Sequence, residues 1–353
     1  MWEEIAQQPA ALEETLREEW PRVQPLRDHF AAHPVELIVL AARGTSDNAA
    51  QFGRYLLEIT TGIPVSLAAA SVQTLYGAKV HLRNALVVAV SQSGESTDTN
   101  IVLERGSDAG AFTIGITNEP ESSLARLARH AMFVRAGKER SVAATKTYTG
   151  QLLCFYLLAY ALGAPVKVED LQRIAEHAQA ALTLDSEIRH RAERYRFMQR
   201  AVCIGRGLNY SNSFESALKL METCYVVAER FSSADLLHGP IAMLEESFPA
   251  FAFCPAGVTA DTMRELLDRL KSIKAETLVV TDSSHPDVSG LTGAAHSSLV
   301  IPESLAHRGD LPVDVYTPIP YIIPMQLLAA HLAKAKGLDP DHPRTLSKVT
   351  KTV

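Results

Sequence analysis

Basic residues are in the minority: 34 Lys and Arg stand against 40 Asp and Glu, a formal net charge of −6. That argues against a protein whose main partner is nucleic acid, because binding a phosphate backbone rests on a surplus of cations that release counterions. Cysteine is scarce too: Cys154, Cys203, Cys224 and Cys254 sit among apolar neighbours, with none at metal-ligand spacing. A disulfide framework and a metal site are therefore not expected, and a reducing, cytoplasmic location is. The most apolar long run, residues 152–162, falls short of the roughly 20 residues a membrane-spanning helix needs. The opening MWEEIAQQPAALEETLREEW is acidic and amphipathic and lacks the basic and apolar regions of a signal peptide. Also missing is the Gly-rich loop ending in Lys-Ser/Thr that cradles a nucleoside triphosphate.

What is present is the balance of a packed globular protein, 47% hydrophobic and 21% charged, in a 353-residue chain long enough for two domains. The chain also repeats itself. VELIVLAARGTSDNAA reaches Gly44 after an apolar run, and RAVCIGRGLNYSNS reaches Gly207 in the same way, an offset of 163 (207 less 44). The runs ALVVAV and FPAFAF lead to Ser91 and Cys254 at that same offset, and Thr117 in FTIGIT matches Thr281 in ETLVVT. Each half closes on a long apolar helical segment, TGQLLCFYLLAYALG and IPMQLLAAHLAKAKG. Short apolar runs bounded by Gly, Ser, Asn or Asp alternate with segments of helical period. The pattern predicts an α/β fold of two tandem domains, each a parallel sheet flanked by helices in a doubly wound three-layer sandwich. The expected divisions are an N-terminal helical segment over 1–25, a first domain over 26–165, a helical connection over 166–195, a second domain over 196–337 and a C-terminal tail over 338–353.

Open sheets of this kind bind ligands at the carboxyl ends of their strands. There the chain places Ser91-Gln92-Ser93-Gly94-Glu95-Ser96, where hydroxyls, an amide and the N–H groups of a starting helix offer donors to one phosphate. The same residues also read as a polar turn with Ser96 or Thr97 as a helix cap. An anion further requires Glu95 and Asp98 to point away. The corresponding loop of the second half, Cys254-Pro255-Ala256-Gly257-Val258, has lost nearly every donor, so phosphate binding is expected in one half only. Glu215, Lys219 and Glu222 stand four and three residues apart, on one helical face. They read either as an exposed salt-bridge ladder or as a general base, Glu222, positioned by Lys219. His238 lies in a Leu-His-Gly-Pro turn and reads as a structural histidine or as one facing a cleft. Lys348 is either a solvated tail lysine or an amine delivered over a cleft.

Six ordered motifs carry a resemblance: ARGTS (42–46), SQSGESTDT (91–99), SVAATKTYT (141–149), ESALKLMET (215–223), LLHGPIAML (236–244) and DPDHPRTLSK (339–348). Together they resemble the sugar isomerase (SIS) domain pair found in glucosamine-6-phosphate synthase, and the match runs from EIAQQP (4–9) to the last residues. The chain has no counterpart of that synthase's glutaminase domain, which moves the expectation to the stand-alone SIS-type glucosamine-6-phosphate deaminases. Galactosamine-6-phosphate deaminase and fructosamine-6-phosphate deglycases are the other relatives of similar length.

The resemblance implies phosphate contacts at Ser46, Ser91, Gln92, Ser93 and Ser96, with Ser96 standing where the synthase commonly has Thr. It implies that Val142 and Ala143 line the sugar site; Ala144 stands where the synthase often has Ser. It makes Glu222 the base that moves a proton between C1 and C2, and Glu215 and Lys219 its supports. His238 becomes the residue that opens the sugar ring, reaching in from the partner of a homodimer, and Lys348 the tail lysine near the substrate carbonyl. The implied reaction is glucosamine 6-phosphate plus water giving fructose 6-phosphate and ammonia, with no cofactor. A deglycase and a non-catalytic sugar-phosphate sensor are the alternatives. Against the sensor stand the retained Glu222, His238 and Lys348 and the lack of any basic DNA-binding segment.

Overall fold

A computed structural model describes residues 1–291 and 296–346. The short apolar runs form ten strands: β1 (Leu37–Ala41), β2 (Val65–Leu67), β3 (Ala85–Val90), β4 (Phe112–Thr117), β5 (His130–Phe133), β6 (Arg200–Gly205), β7 (Val227–Ser232), β8 (Pro249–Phe253), β9 (Glu276–Asp282) and β10 (His296–Ile301). They make two five-stranded sheets, ordered β2-β1-β3-β4-β5 and β7-β6-β8-β9-β10, with every pairing parallel. The two orders are the same when each half is counted from its own first strand. The internal repeat read from the sequence is therefore a repeat of topology.

The central strand β3 is buried at all six positions, as a strand covered on both faces must be. One face of its sheet packs Val39, Ala41, Val87 and Ala89 against Val102, Leu103 and Leu124 of the covering helices. On the opposite face Ile38, Leu40, Leu86 and Val88 are buried as well. The helices Thr45–Thr61 and Lys146–Ala161 pack closely together, with Phe52 edge-on to Phe155. Gly53 permits that approach: a Cβ there would lie 2.4 Å from the Phe155 ring. The second sheet has an equivalent core of Val202, Ile204, Ala250, Ala252 and Val279 with Met263, Leu266 and Leu270 of a helix.

The chain divides into two compact units. One holds the first sheet and comprises Gln7–Arg140 and Ala144–Ala175; the other holds the second sheet and comprises Met1–Ala6, Ser141–Ala143 and Glu176–Arg344. The boundary drawn at residue 25 falls inside the continuous helix Gln8–Ala32, which carries Pro21 and Pro25 within it. The expected helical connection forms two helices, Val168–Leu182 and Asp185–Arg194, and the unit boundary falls inside the first. All four cysteines are buried thiols. Among the described residues no helix is long and apolar enough to cross a membrane.

Candidate functional site

In the first sheet the chain runs from β1 outward to β2, then returns to the other side of β1 with β3. A topological switch point therefore lies between the carboxyl ends of β1 and β3, where the neighbouring loops diverge and leave a crevice. Residues 42–46 leave β1 there and residues 91–96 leave β3 there, so the two motifs singled out in the sequence meet at one place. Gly44 makes the turn with φ +57° and Gly94 with φ +66°. Gly94 is also tightly packed: a Cβ would fall 2.2 Å from the Ser122 hydroxyl.

The loop hydroxyls are arranged as acceptors toward the protein. Ser91 Oγ accepts from the Gly94 N–H at 3.1 Å, Ser93 Oγ from the Glu95 N–H at 3.3 Å, and Ser46 Oγ from Gln151 Nε2 at 3.0 Å. Each oxygen so engaged leaves its own proton to be donated, which is what an anion needs. The Gln92 carbonyl accepts from the Asn118 N–H at 3.1 Å and the Thr117 hydroxyl at 3.3 Å, fixing the backbone of the loop. Ser96 stands as the residue before the helix Thr97–Asp108, in extended conformation and with no capping bond from its side chain.

Glu95 of the loop and Asp98, in the first turn of the helix that follows it, are both held by other partners. The Glu95 carboxylate accepts from the Ser123 N–H and hydroxyl, each at 2.8 Å, and these bonds hold its pKa below the ordinary value. Asp98 Oδ2 is bound by Arg43 through Nη2 at 2.8 Å and Nε at 3.2 Å. Burial, opposed by the charge of Arg43, raises the pKa of the neighbouring Asp47.

The second constellation belongs to the other unit. Helix Tyr210–Cys224 places Lys219 Nζ 2.7 Å from Glu222 Oε2 and 3.3 Å from Glu215 Oε1. The exposed-ladder reading of this spacing is overturned: the side chains of Glu215 and Lys219 are 0% and 1% exposed, and only Glu222, at 24%, reaches solvent. Burial pulls the Lys219 pKa down, but the two carboxylates outweigh it and hold the ammonium well above its ordinary range. Glu222 Oε1 has no hydrogen-bond partner among the described residues. The helix ends at Tyr225 in left-handed conformation, φ +55°, and the Tyr225 hydroxyl accepts from the Arg344 N–H at 2.8 Å. The Arg344 guanidinium stacks over the same ring at 4.1 Å. Residues leading to the tail are thus tied to the helix that bears Glu222; Lys348 itself lies outside the described residues.

His238 follows the helix Ser233–Leu237 as its cap and is exposed. Val142 is partly buried and Ala143 fully so, in a segment belonging to the unit of the second sheet. That segment is anchored by Glu4, whose carboxylate accepts from the Ser141 N–H at 3.3 Å. Close by in sequence, Glu139 accepts from the Thr145 N–H at 2.9 Å and the Thr147 hydroxyl at 2.6 Å, at the start of helix Lys146–Ala161. Sequence reasoning missed Arg43, Gln151, Glu139 and Glu4. Only Arg43 had a signal, since an Arg precedes the turn glycine in both halves of the repeat. Among the described residues no group of three or more His, Cys, Asp or Glu could hold a metal ion.

A family model described as the SIS domain matches residues 34–161 and 197–309. The isomerizing glutamine–fructose-6-phosphate aminotransferase of Methanothermobacter thermautotrophicus is 34% identical over 348 residues, covering 99% of this chain and 56% of that protein. The aminotransferase of the same description from Gloeobacter violaceus is 35% identical over 365 residues, covering 99% and 58%. The chain thus spans 56–58% of the length of these curated relatives. Among solved structures, the C-terminal domain of glucosamine-fructose-6-phosphate aminotransferase from Francisella tularensis matches with TM-score 0.87 at 28% identity, over 97% of this chain and 98% of that one. Glucosamine-6-phosphate deaminase from Thermotoga maritima shares the fold, with TM-score 0.72 at 19% identity over 97% and 100%.

Proposed function

The chain belongs to the SIS domain family, and on that premise we propose that it is an enzyme converting an amino sugar phosphate to a ketose phosphate with loss of ammonia. The observation that carries this reading is the sealed Glu215–Lys219–Glu222 group, from which only Glu222 emerges. A carboxylate fixed on one oxygen by a buried ammonium and open on the other is equipped to take a proton from carbon and return it one carbon away. The donor-rich loop with both nearby acids turned aside supports a phosphorylated substrate.

In this reading the loop 91–96 and Ser46 hold the phosphate, and His238 assists opening of the pyranose ring. Glu222 removes the C2 proton of the open-chain aldehyde and delivers it to C1. The aldehyde oxygen gains a proton as the C2 amine loses one and becomes an imine; water then adds at C2 and ammonia leaves, so that glucosamine 6-phosphate and water balance fructose 6-phosphate and ammonia. The reading includes a homodimer in which His238 serves the partner's substrate. The substrate choice within the amino sugar phosphates is glucosamine 6-phosphate.

Ammonia release from the purified chain tests the reading, with glucosamine 6-phosphate and galactosamine 6-phosphate offered in parallel and a set of fructosamine 6-phosphates assayed for release of the free amino acid. Release from glucosamine 6-phosphate with equimolar fructose 6-phosphate is expected. Turnover of another member alone would replace the substrate, and turnover of none would remove the deaminase reading.

A further inference from the structure

The ion pair between Arg43 and Asp98 joins the two loops of the switch point, one residue from each. Arg43 immediately precedes the turn glycine after β1, and Asp98 is the second residue of the helix that follows the donor loop. Arg43 spends Nε and Nη2 on a single carboxylate oxygen, and its side chain remains 47% exposed beside the crevice.

The second half of the chain is an internal control for what this pair does. At the offset of 163, Arg43 corresponds to Arg206 and Asp98 to Asp261. Gly207 after Arg206 has φ +58°, against +57° for Gly44, and Asp261 lies in the first turn of the helix Ala260–Ser272. The same two residue types therefore flank the same switch point, between β6 and β8. Among the described residues, however, no hydrogen bond or ion pair joins Arg206 to Asp261. The topology and the glycine turn thus form without the pair. Where the pair closes, the loop has kept its donors; where it stays open, the loop is Cys-Pro-Ala-Gly-Val.

We propose that Arg43 is a positioning and charge-compensating residue for anion binding at the loop 91–96: it cancels the Asp98 carboxylate, which would otherwise repel the phosphate. The inference rests on the phosphate reading of that loop. Its physical basis is that two like charges a few ångströms apart in a partly buried crevice repel strongly, so one uncompensated carboxylate costs an anion much of its affinity. The helix N-terminus and the serine hydroxyls then act on the phosphate unopposed.

Isothermal titration of the full chain with fructose 6-phosphate and with inorganic phosphate tests this, alongside kcat and KM for the amino sugar phosphate. Arg43→Met should weaken binding of both probes about 10- to 100-fold, raising KM with kcat little changed. Asp98→Asn should bind both probes at least as tightly as the wild type, and the double variant should return to within about threefold of it. Arg206→Met, in the control half, should leave binding unchanged. The inference is overturned if Arg43→Met binds normally, if Asp98→Asn binds more weakly than wild type, or if the double variant stays as weak as Arg43→Met, which would make Arg43 a direct ligand. Should Arg43→Met fail to fold, the Asp98→Asn arm still decides. A wild-type chain that binds neither probe would instead remove the phosphate reading itself.

Discussion

Lys219 sits on one face of a single helical segment between a carboxylate sealed from water, Glu215 at 3.3 Å, and one that reaches it, Glu222 at 2.7 Å. The ammonium thus has both a structural partner and a functional one, and the two roles separate on mutation. Lys219→Met removes the ammonium paired with the buried Glu215. A loss of about 3–5 kcal/mol in unfolding free energy is expected, read from urea titration, with activity lost as well. Unchanged stability would show that Glu215 does not depend on Lys219.

Glu222→Gln keeps the shape and, being at the solvent edge of the group, should cost little stability. It removes the proton acceptor, so kcat should fall about 10²- to 10⁴-fold while sugar-phosphate affinity stays within a few-fold of wild type. Steady-state kinetics and calorimetry on the same preparation check the split. Unaltered turnover would take the catalytic role away from Glu222.

Gly94→Ala combines two penalties. The backbone there is left-handed, and the added methyl would sit 2.2 Å from the Ser122 hydroxyl. A cost of about 1–3 kcal/mol is expected, together with a raised KM, because the loop must shift to make room. Ser93→Ala is the contrasting substitution: the melting temperature should barely move, while KM rises.

His130, on β5, has its pKa lowered to about 4 by burial and then by the positive charge of Arg22. Its ordinary value is near 6.5, so between the two values the unfolded chain binds the proton that the folded chain refuses. The stability it contributes is complete above about pH 6.5 and drains away as pH falls through that range toward 4. Thermal melts of wild type and His130→Phe from pH 8 to 4 should run parallel above neutrality and diverge below it, with the variant less sensitive to acid. Curves parallel throughout would reject the assignment.

Much of the fold was legible because its signals are local. Buried parallel strands are apolar at every position, and the run ALVVAV could be nothing else once its neighbours were seen to alternate with helices. The repeat at an offset of 163 gave the two sheets, since equal topology demands equal spacing of strands and turns. Boundaries were less legible: helix Gln8–Ala32 passes through Pro21 and Pro25, residues that ordinarily suggest an end.

The spacing of Glu215, Lys219 and Glu222 put them on one face, but spacing is the same for a solvated ladder and a buried triad. Only packing around the helix decided that Lys219 and Glu215 are sealed, because burial depends on what residues distant in sequence bring to that face. The serines of the loop 91–96 announced a donor-rich turn by composition alone. That Glu95 turns to Ser123 and Asp98 to Arg43 was decided by the tertiary structure, which sets residues 28 and 55 positions apart within hydrogen-bonding reach. The sequence by itself determined which chemical groups stand at each strand end, because strand, turn and helix start are written in neighbouring residues. Which of those groups keep their charge for a ligand, and which spend it on each other, was decided only when the sheet brought β1 and β3 side by side.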